Sequence, residues 1–196
     1  MFKKKRRNVL SEEEQIYILD FARKSIEAKI RGADPPRFEA DYSNLKAQRG
    51  AFVTLYNRGN LRGCIGTISS TKPLYETIQE VAQAAAFQDP RFQPLSESEL
   101  SKISIEISVL TPLKKIKNFK RIKIGRHGIF VKSGEAHGLL LPQVAVNNHW
   151  DRKTFLQHTC IKAGLPKDAW QKDDTEIMIF GAQVFEEESH EEATSE

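Results

Sequence analysis

Residues 11–32 show the apolar spacing of a single amphipathic helix. Ser11 precedes the apolar run and Glu14 follows three residues later, which is the capping-box arrangement at a helix N-terminus. Gly32 and the Pro35-Pro36 pair stop the pattern, because proline lacks the N–H that a helix needs. Apolar side chains recur every three or four residues, which predicts one shared face: Ile16, Leu19, Ala22, Ile26 and Ile30.

The next part of the chain alternates between strand and helix patterns. Residues 51–56 and 61–65 are rich in β-forming side chains and are separated by the turn-forming residues 57–60, so they predict a hairpin. A helix is predicted to begin at Pro73 and to reach Phe87. Residues 103–109 alternate isoleucine or valine with polar residues, which predicts a strand with one buried face.

The C-terminal half predicts further extended segments around one helix. Two short apolar stretches, 122–124 and 128–131, lie on either side of Gly125-Arg126-His127 and predict a second hairpin. The remaining elements are a buried run at 138–142, a helix at 154–163 that Gly164 ends, and extended segments at 177–180 and 183–185. This order of elements predicts an α+β fold with a mostly antiparallel sheet flanked by helices.

Length and composition predict one domain with a charged tail at each end. The chain has 196 residues, of which 39% are apolar and 29% charged, so it can form a core without disulfides or metal. We expect a basic flexible tail at 1–9, a folded domain at 10–186 and an acidic flexible tail at 187–196. The basic N-terminus lacks the apolar stretch of a signal peptide, and no apolar run reaches the ~18 residues of a membrane span. These features predict a cytoplasmic protein without membrane association.

Charge and metal-ligand patterns argue against nucleic acid, metal ions and cofactors as ligands. The net charge is +4, which permits nucleic-acid binding, but basic residues concentrated beside stacking aromatics are not evident in the sequence, so we do not expect a nucleic-acid partner. Cys64 and Cys160 form no CxxC pair, and HExxH or paired-histidine spacing is absent from the sequence. We therefore expect no metal and no cofactor.

The segment Arg62-Gly63-Cys64-Ile65-Gly66-Thr67 is the strongest candidate for chemistry. A neighbouring cation favours the nucleophilic thiolate, and glycine allows close approach of the backbone to a ligand. The alternative is a small buried cysteine in a bulged strand. A catalytic cysteine also needs a base, for which His127 and His137 are candidates. Asp89 and Arg91 can place a carboxylate and a guanidinium in a cleft, or can form an internal ion pair.

Several motifs together resemble the AMMECR domain family across about residues 10–186. They are Leu61-Arg62-Gly63-Cys64-Ile65-Gly66-Thr67, Asp89-Pro90-Arg91-Phe92, Ile105-Glu106-Ile107-Ser108-Val109-Leu110-Thr111, His127-Gly128, Leu140-Leu141-Pro142-Gln143-Val144-Ala145 and Trp150-Asp151. The resemblance implies an α+β domain with a larger and a smaller lobe and with the Arg62-Gly63-Cys64 segment near a cleft between them. It also implies a functional association with Memo-like and radical S-adenosylmethionine proteins, but it carries no established reaction.

Two functions remain open. One is an enzyme that uses the Cys64 thiol on a small anionic substrate, with Arg62 holding the anionic group and His127 or His137 as the base. The other is a non-catalytic binding or scaffold module for a protein partner, in which Cys64 is packed. In the enzyme, the substrate site is expected to include Arg62, Gly63, Gly66, Thr67, Asp89, Arg91 and Gln143.

Overall fold

The structure is a computed structural model that describes residues 9–187. Except for Val9 and Glu187, the tails expected at 1–9 and 187–196 lie outside the described residues. Both of these end residues contact the folded part of the chain. The Val9 N–H donates a hydrogen bond to Gln183 Oε1 over 2.7 Å, and the Glu187 carboxylate forms a salt bridge with Arg23. The chain divides into two compact units. The first unit is Met1–Val109 with Gln183–Glu196, and the second unit is Leu110–Ala182.

Each unit contains one antiparallel four-stranded sheet and its own helices. The first unit has α1 (Glu12–Arg31), α2 (Ser43–Lys46), β1 (Ala51–Asn57), β2 (Asn60–Thr67), α3 (Leu74–Phe87) and β3 (Ile103–Leu110). The second has β4 (Lys114–Ile116), β5 (Gly128–Ser133), β6 (Ala136–Leu140), α4 (Pro142–Asn147), α5 (Arg152–Lys162) and β7 (Glu176–Phe180). β8 (Ala182–Glu186) completes the first sheet. The strand orders are β2-β1-β3-β8 and β4-β7-β5-β6. The predicted α+β class is confirmed, and the cleft between two lobes stays a prediction.

Helix α1 begins and ends where its sequence predicts. The Glu14 N–H donates to Ser11 Oγ over 3.3 Å, and the Ser11 N–H donates to the Glu14 carboxylate over 2.7 Å, so the capping box is complete. Gly32 ends the helix in the left-handed region at φ 64°. Ile16 is 65% exposed, so the buried face is centred on residues 18–26 rather than on the whole predicted set.

The core of the first unit lies between its sheet and helices α1 and α3. The β1 and β3 side chains that point toward the helices are fully buried: Val53, Leu55, Ile105, Ile107 and Val109. Ile78 and Ala82 of α3 pack into the same cluster. Burial of this size is the main favourable contribution to folding. It leaves the opposite face of the sheet for the polar members of the same strands, because side chains alternate between the two faces.

In the second unit, α5 packs on strands β5 and β6. Asp151 is its N-cap and accepts a hydrogen bond from the Thr154 N–H over 2.7 Å, so the helix begins at Arg152, two residues before the predicted start. Phe155, Leu156 and Cys160 of α5 are fully buried in the core of this unit. Cys160 is therefore a packing residue within its helix.

The hairpin predicted from residues 122–131 is wrong. Residues 122–127 form a turn in which the Arg126 and His127 N–H groups donate to Lys123 O, over 3.1 and 2.9 Å. They therefore make no strand ladder. Strand β5 pairs instead with β6 and β7. The turn between β5 and β6 contains Gly134 at φ 57°, a conformation that glycine adopts without strain.

Residues 9–187 contain neither a membrane-spanning helix nor a cluster of metal-ligating side chains. No helix there is long and apolar enough to cross a bilayer. No group of three or more His, Cys, Asp or Glu side chains in the same range is arranged to hold a metal ion.

Candidate functional site

A β-bulge decides which face of the first sheet carries the Cys64 thiol. Tyr56 pairs with Leu61 and Leu55 pairs with Gly63, so Arg62 is an extra residue in β2. Without the bulge, Cys64 would pair with Val53, whose side chain points into the core. With it, Cys64 pairs with Thr54, because a shift of one residue exchanges the two faces. Cys64 therefore points away from α3 and is only partly buried.

Gly63 allows β2 to pass directly against helix α3. A Cβ atom at this position would lie 2.2 Å from the Ala85 carbonyl oxygen, which is far inside van der Waals contact. Gly66 is a second close approach, where an added Cβ would lie 2.2 Å from the Phe52 ring. The two glycines on either side of Cys64 thus permit close packing on both faces of the strand.

Asp89 and Arg91 hold both backbone groups of Cys64. The Cys64 N–H donates to Asp89 Oδ2 over 2.9 Å, and Arg91 Nη2 donates to the Cys64 carbonyl over 3.4 Å. Arg91 also donates from Nε and Nη2 to the two Asp89 oxygens, over 2.9 and 2.6 Å. Since β2 is an edge strand, the pair occupies backbone groups that an edge leaves open. Asp89 is 4% exposed, and the Arg91 hydrogen bonds hold its pKa well below the usual value despite burial.

Arg62 is engaged by a carboxylate of its own chain. Its Nε donates to Glu99 Oε1 over 2.7 Å, and its Nη2 donates to Glu99 Oε2 and to the Gln93 carbonyl. The hydrogen bond from Arg62 lowers the Glu99 pKa to about 2. The Phe92 ring lies near both guanidinium groups, 5.9 Å from that of Arg62 and 5.4 Å from that of Arg91.

Thr67 lies where β2 leaves the sheet, and its hydroxyl donates to the Ser69 carbonyl over 2.8 Å. It lines an open pocket of about 420 Å³ beside the start of α3. The other lining residues are Ser69, Ser70, Thr71, Lys72, Thr77, Glu80 and Val81. Lys72 pairs with Glu80, so this pocket has no net charge from that pair.

Three polar residues that the sequence did not predict as part of the site lie on the same sheet face as Cys64. The Thr54 hydroxyl lies 3.3 Å from Cys64 Sγ and can donate to it. Glu106 pairs with Thr54 from the other side, and Tyr56 follows Thr54 on the same face of β1. Burial, followed by the nearby Glu186 carboxylate, raises the pKa of Glu106. The alternation Ser104, Glu106, Ser108 predicted a polar face, but not that it is the face of Cys64.

The remaining predicted site residues, His127, His137 and Gln143, belong to the second unit. His127 Nδ1 accepts from the Lys123 N–H over 3.2 Å, so the neutral ring carries its proton on Nε2. Burial, followed by the charges of Arg126 and Lys123, lowers the pKa of His127. His137 is exposed and its Nδ1 lies 3.0 Å from the Glu135 carbonyl. A carbonyl only accepts, so His137 keeps the Nε2 lone pair that a base requires. Gln143 lies in the short helix α4.

Comparison with known proteins identifies the family. A sequence model of the AMMECR1 family matches residues 19–185. The chain belongs to the AMMECR1 family. Protein MK0488 of Methanopyrus kandleri is 46% identical over an alignment of 191 residues, and the match covers 93% of this chain and 92% of the relative. Protein NEQ441 of Nanoarchaeum equitans is 42% identical over an alignment of 174 residues, and the match covers 85% of this chain and 97% of the relative.

The fold of this AMMECR1-family chain is also seen in a crystal structure. Protein PH0010 of Pyrococcus horikoshii matches it with a TM-score of 0.85 at 39% sequence identity. The match covers 92% of this chain and 95% of the PH0010 chain. Family membership carries over the fold, whereas an activity has to be argued from the residues of the site.

Proposed function

We propose that this AMMECR1-family protein is an enzyme in which the Cys64 thiol acts as a nucleophile on a small anionic substrate. The observation that carries the proposal is the double anchoring of Cys64 by Asp89 and Arg91. Side chains held by packing and by neighbouring hydrogen bonds give a reacting group a fixed position. The partly exposed thiol accepts a hydrogen bond from the Thr54 hydroxyl. It is therefore fixed in position yet accessible to a reagent.

Arg91 is the better candidate for holding the anionic group of the substrate. The sequence predicts Arg62 in this role, but its side chain is only 13% exposed and its guanidinium is bound to Glu99. The Arg91 side chain is 54% exposed. Its Nη1 makes no hydrogen bond within residues 9–187, since only Nε and Nη2 are used. A guanidinium with free donors binds carboxylate or phosphate oxygens well. For the base, His137 has the open nitrogen lone pair that His127 lacks.

The proposal is tested by the rate at which iodoacetamide alkylates Cys64 as a function of pH. A thiol without activation reaches half its maximal rate near pH 8.5, so an activated one should reach it clearly lower. Mass spectrometry of the two cysteine peptides separates Cys64 from Cys160, whose thiol pKa is raised by burial. The Cys64→Ser variant gives the background. A half-maximal rate at pH 8.5 or above would remove the activated nucleophile.

The Arg91→Gln variant adds a test of the neighbouring charge. Loss of the Arg91 charge leaves Asp89 as an unpaired carboxylate beside the Cys64 backbone. The pH of half-maximal alkylation of Cys64 should therefore rise. Arg62→Gln is the matched control, because it removes the same charge and likewise leaves a carboxylate, that of Glu99, without its partner. The difference is that Arg91, unlike Arg62, donates to the Cys64 carbonyl. An equal effect of both variants would indicate only a general loss of positive charge.

A non-catalytic binding or scaffold module is the second candidate. It is favoured by the internal pairing of both arginines near Cys64, since charges paired within the chain serve packing as well as catalysis. This function predicts an alkylation profile like that of a free thiol. The partners to test first by copurification are the Memo-like and radical S-adenosylmethionine proteins that the family resemblance implies.

A further inference from the structure

The net charge of +4 conceals an uneven distribution between the two units. Residues 110–182 contain 13 Lys and Arg against 6 Asp and Glu, a formal charge of +7. The rest of the chain contains 17 against 20, a formal charge of −3. The second unit is therefore strongly basic, and a concentrated positive charge is what attracts polyanions.

Much of this charge lies in one stretch, residues 114–126, which we call the basic segment. It has seven cations and no carboxylate: Lys114, Lys115, Lys117, Lys120, Arg121, Lys123 and Arg126. All seven are exposed, whereas Ile116 and Ile122 of the same segment are buried. The isoleucines thus anchor the segment and leave its cations in solvent. Within residues 9–187, Lys115 alone of the seven forms an ion pair, with Glu176.

The basic segment adjoins an aromatic pocket. Phe119 and Ile124 line an opening of about 380 Å³ together with Asp151, Arg152 and Lys153 of the α5 N-terminus. The Phe119 ring packs edge-to-face on Trp170 with 5.1 Å between centroids, which fixes its orientation. Arg152 Nε donates to the Ile122 carbonyl over 2.9 Å and joins the start of α5 to the basic segment.

The charges around this pocket favour an anionic ligand. Asp151 contributes one negative charge, but its Oδ1 already accepts the Thr154 N–H as the N-cap of α5. Lys153 lines the pocket, and Lys120 and Arg121 follow Phe119 directly in the chain. All three are exposed, and none has an ion-pair partner within the described part of the chain. The volume lies within the range of small-ligand pockets, which is about 300–1,000 Å³. An aromatic wall with a cationic rim suits a planar base that carries phosphates.

We propose that the basic segment and its pocket bind single-stranded nucleic acid. A base enters the pocket against Phe119, and the phosphates on either side contact Lys120, Arg121 and Lys153. A duplex is excluded from this mode because its bases are stacked and paired. The run of seven cations around Phe119 is visible in the sequence, contrary to the expectation of no nucleic-acid partner. The pocket is not visible there, because α5 supplies Arg152 and Lys153 from about thirty positions further along the chain than Phe119. The inference is independent of the proposed role of Cys64.

Fluorescence anisotropy with labelled oligo(U) and oligo(dT) of about 12 nucleotides tests binding, since one such surface covers roughly 4–16 nucleotides. The full chain should bind at physiological salt with a dissociation constant below ~10⁻⁴ M. Affinity should fall with salt at a slope of about −2, as expected for about three phosphate contacts to a single strand. Comparison of the two oligonucleotides separates RNA from DNA as the ligand.

Two variants separate stacking from charge. Phe119→Leu keeps apolar volume but removes the ring, and it should weaken binding by about 5- to 150-fold, the value of one stacked base. Replacing Lys120, Arg121 and Lys153 with glutamine should weaken binding and bring the salt slope close to zero. The matched control replaces Lys162, Lys167 and Lys172, which are exposed lysines of the same unit, and should bind nearly as tightly as the unchanged chain. Circular dichroism melting confirms that each variant is folded.

Several results would overturn the proposal. One is wild-type affinity in Phe119→Leu, and another is an equal loss in the control triple variant. Competition by duplex DNA or polyglutamate as effective as that by oligo(U) would also overturn it, because such competition indicates attraction to any polyanion. Absence of binding at physiological salt up to ~10⁻⁴ M would do the same.

Discussion

At Gly63, strand β2 passes so close to α3 that a methyl group has no room. The atom 2.2 Å from an added Cβ is the Ala85 carbonyl oxygen, which belongs to a helix backbone and cannot swing aside like a side chain. Gly63→Ala should therefore lower the free energy of unfolding by about 1–3 kcal/mol, the usual cost of overpacking. Urea unfolding of the purified variant measures this loss.

The neighbouring substitution Cys64→Ala is the control for Gly63→Ala. Cys64 is partly exposed, so removing its sulfur leaves a smaller cavity than the loss of a core side chain would. It should cost less than Gly63→Ala. The reverse order, with Gly63→Ala unfolding like the unchanged chain and Cys64→Ala losing several kcal/mol, would make Cys64 an ordinary core residue.

At the scale of elements, local signals predicted most of the first unit. The capping box of α1, the hairpin of β1 and β2, and the alternation in β3 each lie within one short continuous stretch of the chain, where capping and side-chain period act directly. The second hairpin was wrongly predicted because Gly125, at φ 74°, does form a turn. The N–H groups that follow in that turn donate to the Lys123 carbonyl, so they do not pair two strands.

The candidate site depended on information that local patterns do not contain. The sequence suggested Cys64 and its two glycines, but the face of β2 depends on the bulge at Arg62, a single extra residue. Thr54 and Glu106 join the thiol only through cross-strand register. The Arg62–Glu99 pair and the contacts of Asp89 and Arg91 with the Cys64 backbone likewise depend on how residues 89–99 fold back on β2.

The Asp89–Arg91 pair should stabilise the edge of β2 at Cys64. Arg91→Ala leaves the Asp89 carboxylate buried without its cation, which costs up to about 3–5 kcal/mol when both partners are buried and less here because Arg91 is half exposed. The double variant Asp89→Asn with Arg91→Ala removes both charges and should recover part of this loss. A double-mutant cycle by urea unfolding measures the coupling.

The exposed pair Asp41–Lys46 serves as the matched control for that cycle. Both of its side chains are largely in solvent, where screening leaves little interaction, so no measurable coupling is expected. Equal coupling in the two pairs, or additive effects of Asp89→Asn and Arg91→Ala, would contradict a structural role for the buried carboxylate at the strand edge.

For the whole molecule, the carboxyl groups of the first unit act on stability with opposite signs. Asp89 and Glu99 have pKa values lowered by their arginine partners. Their stabilisation is present above the unfolded values of 3.8 and 4.5, and for Glu99 it is lost as pH falls from 4.5 to about 2. Glu106 differs, because burial raises its pKa above 4.5. Its ionised form is therefore disfavoured in the folded state, and this penalty appears as pH rises above 4.5.

Glu106→Gln should consequently raise the free energy of unfolding at pH 7 and change it much less near pH 4, where Glu106 is mostly protonated in both states. Urea unfolding of the two proteins across pH 4–8 measures the difference. The half-buried carboxyl on the face of Cys64 thus costs stability at neutral pH, as groups retained for function often do. Glu80→Gln, in an exposed pair with Lys72, is the control and should show no such pH-dependent gain. A Glu106→Gln variant that is less stable at pH 7 would indicate that this carboxylate has a stabilising partner instead.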